Sequence, residues 1–346
     1  MRVMLFHPPG ELSLERLRTF GSMRAYYLEQ EFRKLGVEMV FSPWMRGTKL
    51  TTEELVRYHE GLDISGIDHF IGHGVRYWSF LPFEAGEALR SRLGRHQCMA
   101  QIHDFTLLDR SPADVTFTHS DRRDEYPPGS RNHEVYVRHT EPVGWAADGK
   151  LCRSEQSADE LRILVDHPTY GYNSRDLTLS ILLNLRELVG SPHLWQDRYK
   201  SIRIRQLLDG EVVDLDVTGD LCVRPFKREP IPYLEMCREY SQAHIFCVTH
   251  AESLGQAVIE AATAGALIVT PQNCIISDRL ATVRHYEWSE YIHWNQVLPL
   301  VDPRLCRKVA VQNSWASVAE TMVRYLERFD RETMGWPAQH QTGSMT

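Results

Sequence analysis

The sequence predicts an α/β protein with two domains. The chain has 346 residues, which corresponds to about two domains of ordinary size. Short apolar runs alternate with amphipathic segments of helical period, a pattern typical of parallel strands joined by crossover helices. This alternation fades between Asn132 and Asp159 and then begins again. We therefore expect one domain in residues 1–150 and a second domain in residues 151–313.

Apolar runs in the first domain have the length of buried strands. A loop through Phe20, Gly21 and Ser22 follows the first run and leads to an amphipathic helix predicted over 23–35. Gly36 ends this helix, because glycine is common just after the last helical residue. The predicted strands cover residues 2–6, 38–41, 69–71, 99–103 and 115–118.

The same alternation returns in the second domain. Apolar runs predict strands over 162–165, 202–208, 243–249 and 267–270, and amphipathic segments predict helices over 175–189, 232–241 and 253–264. A longer amphipathic helix is predicted over 314–331, with Val318, Met322 and Leu326 on one face. We interpret residues 336–346 as a frayed tail.

Composition and charge exclude several classes of protein. With 42% hydrophobic and 25% charged residues, the chain has the composition of a globular protein. No apolar run approaches the roughly 20 residues of a membrane helix, and the run before Pro8 is too short for a signal peptide, so we expect a cytoplasmic protein. The seven cysteines include no C-x-x-C pair, which argues against a disulfide framework or a structural zinc site. The net charge of −7 disfavours nucleic acid as the main partner.

The segment from His244 to Pro271, HIFCVTHAESLGQAVIEAATAGALIVTP, holds two glutamates in a suggestive arrangement. A buried strand leads through a turn into a small-residue helix, a glycine stop and another strand. Glu252 and Glu260 are eight positions apart, a little over two helical turns, so both carboxylates can face the same side. The neighbours of Glu260 are apolar or small, so its carboxylate needs a hydrogen-bonding partner, for which a pair of ligand hydroxyls is a good candidate.

The start of the predicted helix between these glutamates suits an anionic ligand. Backbone N–H groups at a helix N-terminus have no partner within the helix, and a glycine there permits close approach, which together make a site for a diphosphate. The residues that open the helix are Ser253, Leu254, Gly255 and Gln256.

This segment resembles the GT-B glycosyltransferases, specifically the retaining group with an E-x7-E motif in the nucleotide-sugar site. The motif, the small-residue helix, Gly265 and the LIVTP strand match in order and spacing. The resemblance implies that Glu252 holds hydroxyls of the donor sugar and that Glu260 binds the nucleotide ribose. It also implies that the N–H groups of Gly255 and Gln256 hold the diphosphate.

The resemblance extends to positions in the first domain. His103, at the end of MAQIHDF, is similar to the strand-end histidine that reaches the donor sugar in this family. The loop with Gly21 and Ser22 is similar to the glycine-containing first loop that faces donor phosphate or acceptor. His73 follows a predicted strand, where it is a candidate for acceptor contact.

In the second domain, the family presents an arginine after the first strand and a lysine at the start of the next helix, and both hold the diphosphate. Arg175 takes the place of the lysine, and a guanidinium suits phosphate by its bidentate geometry. The earlier arginine is absent, so His167, Thr169 or Tyr170 must compensate. Further along the chain, Arg224 and Lys227 are candidates for donor charge or for flanking the base.

The sequence gives no reason to expect a metal ion. Asp214-Leu215-Asp216 has the D-x-D pattern that holds Mn²⁺ or Mg²⁺ in the other glycosyltransferase fold, but it lies in a predicted strand late in the chain. We therefore interpret both aspartates as residues of an edge strand. His69 and His73 are separated by a strand and a glycine loop, instead of sharing one helix face, which argues against a zinc pair.

The resemblance implies a fold and a function. The fold is α/β of the GT-B type, with two Rossmann-like domains that face a central cleft, and residues 314–346 cross back to the first domain. The function is transfer of a sugar from a nucleotide-sugar, with UDP- and GDP-sugars favoured, to an unidentified acceptor on the first domain, with retention of anomeric configuration. The alternatives are a phage-type glucosyltransferase of DNA bases, a non-catalytic protein that binds sugar nucleotides, and a sugar-nucleotide epimerase.

Overall fold

A computed structural model describes most of the chain as two compact α/β units. The first unit contains the described residues of Met1–Gly10, Tyr27–Val143 and Ala319–Thr346, and the second contains those of Glu11–Tyr26 and Gly144–Val318. The described residues are 1–7, 12–17, 20–43, 49–73, 78, 81–103, 112–119, 121, 123, 127–144, 146–167, 174–208, 210–221, 223, 229–250, 255–272, 283–302, 304 and 306–333.

The first unit is built on a parallel sheet with the strand order β2-β1-β3-β4-β5-β6. Its strands are β1 (Arg2–His7), β2 (Glu38–Pro43), β3 (His69–Gly72), β4 (Met99–His103), β5 (Val115–Thr118) and β6 (Thr140–Pro142). The helices of this half of the chain are α1 (Phe20–Lys34), α2 (Thr52–Gly61), α3 (Phe83–Arg90) and α4 (Arg131–His139).

Local chemistry fixes the helix ends in this half. Thr51 and Glu54 form a capping box at the start of α2, in which the Thr51 hydroxyl accepts the Glu54 N–H and the Glu54 carboxylate accepts the Thr51 N–H. Gly36 follows α1 with a φ of 74°, a backbone conformation that favours glycine.

The second unit is built on a sheet with the strand order β12-β11-β10-β7-β8-β9, in which only the pair β8–β9 is antiparallel among the described strands. Its strands are β7 (Glu160–Val165), β8 (Ser201–Leu207), β9 (Val212–Asp214), β10 (Ile245–Cys247), β11 (Leu267–Pro271) and β12 (His285–Trp288). Its helices are α5 (Ser174–Val189), α6 (Tyr233–Gln242), α7 (Gln256–Thr263), α8 (Trp294–Val297) and α9 (Cys306–Gln312). Then α10 (Trp315–Arg328) continues into the first unit, and 3-10 turns cover Leu14–Arg16, Pro192–Leu194 and Leu298–Leu300.

The central strands of each sheet, such as β1 and β3 in the first and β10 and β11 in the second, are buried along almost their whole length, as expected for parallel strands covered on both faces. In the first unit, Phe6, Phe70 and Trp78 lie in one hydrophobic cluster. The indole N–H of Trp78 donates to the Ala100 carbonyl at 2.9 Å. A Cβ atom at Gly72 would lie 2.5 Å from the Trp78 indole nitrogen, so this position has no room for a side chain.

The observed elements differ from the predicted ones in several places. Helix α1 begins at Phe20, so Phe20, Gly21 and Ser22 form its first turn instead of a loop. Strands β6 and β12 were not predicted, because one has three residues and the other, HYEW, has no apolar run.

The first residues of α1 and the segment before it belong to the second unit. The carbonyl of Leu17 accepts the N–H of Tyr233, at the first residue of α6, with a separation of 3.1 Å. The second unit also begins at Gly144, before the predicted boundary at residue 151. The Ala147 N–H donates a hydrogen bond to the Asn313 carbonyl at 3.0 Å, which joins the beginning of the Gly144–Val318 segment to its end.

Residues after α10 attach to the first unit through a buried ion pair. The Arg331 guanidinium binds both carboxylate oxygens of Asp114, at 3.1 and 2.7 Å, and Asp114 is 3% exposed. Arg331 also donates to the Gln97 carbonyl at 2.8 Å, and Asp330 pairs with Arg95. These contacts attach residues 330 and 331 to the first unit.

No helix in the described part of the chain is long and apolar enough to cross a bilayer.

Candidate functional site

The candidate site lies in the second unit, at the edge of the sheet where the parallel strands β7 and β10 end. These strands are direct neighbours in the sheet, so the residues that follow them meet at one edge. Asp166 and His167 follow β7, and Thr249 and His250 follow β10. Helix α7 is the next described element after β10. In open α/β sheets, ligands bind at this carboxyl edge of the strands.

The N-terminus of α7 presents backbone donors at this edge. Gly255 is the N-cap residue, with extended φ and ψ of −59° and 153°, and its carbonyl accepts the Val258 N–H at 3.1 Å. The first N–H groups of a helix have no carbonyl partner within the helix, and together with the helix dipole they favour an anion. Gly255 and Gln256 therefore lie at the start of a helix, as predicted, and their contact with a diphosphate stays a prediction.

Glu260 is a buried carboxylate in the second turn of α7, only 3% exposed. Burial raises its pKa to about 7, against opposing hydrogen bonds from Gln256 and Tyr233 that lower it. The Gln256 amide donates to the Glu260 Oε1 at 2.8 Å and to the Ala146 carbonyl at 2.6 Å. Burial of this carboxylate in its charged form therefore lowers the stability of the folded second unit.

The side chain of Gln256 has a role that the sequence analysis missed. Only its backbone N–H was expected to take part, but its amide links Glu260 to the segment that precedes β7. The signal was available in the sequence, because Gln256 and Glu260 are four residues apart and therefore share one helix face.

Asp166, His167 and His250 form a compact cluster at the same edge. Their ligand atoms all lie within 4.8 Å of one another. The Asp166 Oδ1 is 3.0 Å from the His167 Nδ1, and the Asp166 Oδ2 is 3.6 Å from the His250 Nδ1. Burial alone raises the pKa of Asp166, but the charge and hydrogen bonds of His167 and the charge of His250 outweigh it, so the pKa is lowered. The carboxylate is therefore ionised.

Thr249 joins the two loops of this cluster. Its hydroxyl donates to the His167 carbonyl at 2.7 Å, across 82 residues of sequence. The Asp166 N–H donates to the Cys247 carbonyl at 2.9 Å and so extends the pairing of β7 with β10. Sequence reasoning selected His167 as a substitute for the missing arginine but did not identify Asp166 or His250 as its partners.

Arg175 lies in the first turn of α5, the helix that follows β7, and is exposed. A cation at a helix N-terminus opposes the helix dipole, so this position gains if an anion binds beside it.

The D-x-D pair has structural partners. Asp214 ends the edge strand β9 and pairs with Arg203 at 2.8 Å and with Arg205 at 3.2 Å. Asp216 accepts the backbone N–H of Thr218 at 2.8 Å. Asp214 is therefore an edge-strand residue, as predicted, whereas Asp216 lies after the end of β9 and accepts its hydrogen bond within the following turn.

Several predicted site residues fall outside what the structure describes. Glu252, Ser253, Leu254, Arg224 and Lys227 lie outside the described residues, and for His103 the structure describes only its backbone position as the last residue of β4.

Two predicted contacts of the first domain have a defined position. Ser22, with Gly21, lies in the first turn of α1 and groups with the second unit. His73 is fully buried, with its ring centroid 5.1 Å from that of His7. Acceptor contact by His73 stays a prediction.

Comparisons with known proteins connect this architecture to solved structures. No model of a known protein family matches the sequence, and no curated protein matches it either. The fold is similar to that of AviGT4, a glycosyltransferase involved in avilamycin A biosynthesis, at 15% identity over 94% of this chain and 97% of that one, with a TM-score of 0.56.

Two further structures are similar. One is a sucrose-phosphate synthase from Thermosynechococcus elongatus, at 11% identity over 94% of this chain and 98% of that one, with a TM-score of 0.56. The other is the trehalose-6-phosphate synthase OtsA, at 10% identity over 95% and 99%, with a TM-score of 0.55. At these identities the similarity concerns the fold, and it confirms the prediction of an α/β protein with the GT-B fold.

Proposed function

From the GT-B fold of this chain, we propose that the protein is a glycosyltransferase that moves a sugar from a nucleotide-sugar to an acceptor. Of the similar structures, one is named a glycosyltransferase and two are named synthases of phosphorylated disaccharides. The observation that carries the proposal is the buried Glu260 in the second turn of α7, a helix that begins on the side of the second sheet where β10 ends.

The second unit is proposed to bind the donor. The N–H groups at the start of α7 hold the diphosphate, and Glu260 accepts hydrogen bonds from the ribose hydroxyls. Arg175 adds positive charge from the start of α5. Glu252 and His103 orient the sugar. UDP- and GDP-sugars are the expected donors.

Bond cleavage is proposed to be driven by charge that develops on the leaving diphosphate. When the glycosidic bond breaks, the diphosphate gains negative charge, so helix N–H groups and Arg175 stabilise the transition state more than the ground state. The departing phosphate accepts the acceptor proton on the same face of the sugar, which gives retention of anomeric configuration.

A donor screen tests the function directly. A thermal-shift screen of UDP-, GDP-, ADP-, TDP- and CMP-sugars should identify the donor by stabilisation of the folded state. Product analysis by NMR with an acceptor panel should then show retention at the anomeric carbon. An inverted product would contradict the retaining mechanism. Donor turnover without acceptor would favour an epimerase, and binding without turnover would favour a non-catalytic protein.

Substitutions of the two glutamates should separate binding from transfer. Glu260→Ala should weaken binding of the free nucleoside diphosphate by about 1–3 kcal/mol, the scale of an unmade hydrogen bond to a charged group. Glu252→Ala should lower the transfer rate more than it lowers nucleotide affinity, because its proposed contacts are to the sugar. Calorimetry and steady-state kinetics measure the two effects.

Glu187→Ala is the matched control for this pair, because Glu187 is an exposed residue of α5. It should leave both affinity and rate unchanged. Unchanged nucleotide affinity in Glu260→Ala would contradict the ribose assignment.

Arg175→Ala should weaken binding of the nucleoside diphosphate about tenfold and leave the melting temperature nearly unchanged, since an exposed guanidinium contributes little to folding. Affinity for the nucleoside without phosphates should not change. Arg153→Ala is the control, because the Arg153 side chain is 72% exposed and lies away from the candidate site. Arg153 is close to Glu155, whose N–H donates to the Ser241 carbonyl. Ser241 precedes β10, so this contact lies at the edge of the sheet opposite to the candidate site. Equal losses in both variants would show that Arg175 acts only through net charge.

A further inference from the structure

The cluster of Asp166, His167 and His250 contains the donor set of a metal site. Two imidazoles and one carboxylate are ligands that zinc and other divalent transition metals take in proteins. The Asp166 side chain is 2% exposed and that of His250 is 8% exposed. The side chain of His167 is 36% exposed, so the cluster is closed on one side and open to solvent on the other.

The ligand atoms of the three residues lie close enough together to surround one ion, all within 4.8 Å of one another. In a tetrahedral site with metal–ligand distances near 2.0–2.1 Å, neighbouring ligand atoms are about 3.3 Å apart. Each Asp166 oxygen faces one imidazole near this distance: Oδ1 is 3.0 Å from the His167 Nδ1, and Oδ2 is 3.6 Å from the His250 Nδ1. The second of them is longer than an ordinary N–H···O hydrogen bond.

We propose that Asp166, His167 and His250 bind a divalent transition-metal ion at the carboxyl edge of the second sheet. The three protein ligands leave a fourth position on the exposed side of His167, which water or a ligand oxygen can fill.

The surrounding hydrogen bonds hold the ligands in place before a metal ion binds. The Asp166 Oδ1 accepts the His167 backbone N–H at 2.8 Å, and Thr249 holds the His167 carbonyl at 2.7 Å. These bonds fix the two loops against each other, as the partners of metal ligands commonly do.

The position of this site suggests what the ion does. His250 follows β10, and α7, the proposed diphosphate helix, comes next in the chain. On the proposed function, the ion would therefore supply positive charge to the diphosphate. A phosphate oxygen of the nucleoside diphosphate would then take the fourth position. This step rests on the proposed function, whereas the metal site itself does not.

Titration of the full-length, chelator-treated protein with Zn²⁺ and Co²⁺, without nucleotide, tests the site. Calorimetry should give one strong site per chain, and Co²⁺ should give the visible absorption of a four-coordinate ion. Asp166→Asn and His250→Ala should each lower the affinity by about tenfold or more. His193→Ala, which changes an exposed histidine outside the cluster, should bind as the wild type does.

Two results would overturn the metal site. One is the absence of a strong site in the wild-type protein, which would leave Asp166 and the histidines as a hydrogen-bonded charge network. The other is equal affinity in the wild type and Asp166→Asn. His167→Ala gives a second test, at the one of the three ligands whose side chain is partly exposed. The melting temperature of each variant confirms that the variant is folded.

UDP affinity measured with and without Zn²⁺ tests the proposed role. The ion should tighten UDP binding about tenfold in the wild type and have no effect in Asp166→Asn. A UDP affinity that is the same with and without Zn²⁺ would refute the shared phosphate contact. It would not contradict the metal site itself. Failure to bind any nucleotide would instead refute the proposed function, which the nucleotide-free titration does not use.

Discussion

Replacing Arg331 with alanine should lower the free energy of unfolding of the first unit by about 3 kcal/mol, the scale of a buried ion pair that loses one partner. The reason is that Asp114 stays buried after the substitution. Its carboxylate would keep the hydrogen bond from the Met99 N–H, at 2.8 Å, and the ion pair with Arg90, at 3.4 Å. It would lose both hydrogen bonds from the Arg331 guanidinium. The Gln97 carbonyl would lose its donor as well. Urea denaturation measures the loss.

Hydrogen exchange at the Met99 amide locates the effect of Arg331→Ala in the first unit. Arg331→Lys should recover only part of the stability, since an ammonium group cannot bind both carboxylate oxygens in the planar geometry of a guanidinium. Arg328→Ala is the control, because Arg328 is an exposed residue at the end of α10, and its loss should stay within about 0.5 kcal/mol. Similar losses in Arg331→Ala and Arg328→Ala would show that the Asp114 ion pair contributes nothing.

Replacing Glu260 with glutamine should stabilise the second unit at pH 8 and remove a pH dependence of stability. The ordinary pKa of a glutamate is 4.5, and burial raises that of Glu260 to about 7, so between these values the folded state holds a proton that the unfolded state has lost. Stability from this group is complete below pH 4.5 and is lost as the pH rises to about 7. The difference in pKa corresponds to roughly 3 kcal/mol. Glutamine is neutral at every pH and keeps an oxygen that accepts the Gln256 amide.

The difference in unfolding free energy between the wild type and Glu260→Gln isolates this effect, because other titrating groups cancel. The advantage of the variant should be smallest near pH 4.5 and should grow to its full value by pH 8. Glu187→Gln, at an exposed position of α5, should show no such trend. A difference that does not change with pH would show that Glu260 titrates like an exposed glutamate. A gain in stability with a loss of nucleotide affinity would indicate that the charge is kept for binding.

The sequence predicted the parts of the fold that depend on local pattern. The observed bounds of β4 and β5 equal the predicted ones, and the local signal is the apolar residues Met99, Ala100 and Ile102 in β4 and Val115 and Phe117 in β5. The start of α1 was predicted wrongly because glycine and serine favour turns in isolation. In the folded chain, the segment before α1 is held by the Leu17 carbonyl against α6, which no local signal reveals.

The candidate site was predictable where its residues are close in sequence. Gly255, Gln256 and Glu260 share one short helix, so the spacing alone placed them together. Asp166 and His250 meet only because β7 and β10 are neighbours in the sheet, and the order of strands cannot be read from hydrophobic periodicity. The same holds for Asp114 and Arg331, which are 217 residues apart.

The first unit is built from segments that are far apart in the sequence, and this limits the order in which the newly synthesised chain can fold. A ribosome releases the strands of this unit first, but Asp114 must wait for Arg331, and α10 enters the unit only from Ala319 onward. The second unit is complete once Val318 has emerged. The unit synthesised first is therefore the last to finish folding, and until then its buried Asp114 carboxylate lacks both bonds from the Arg331 guanidinium.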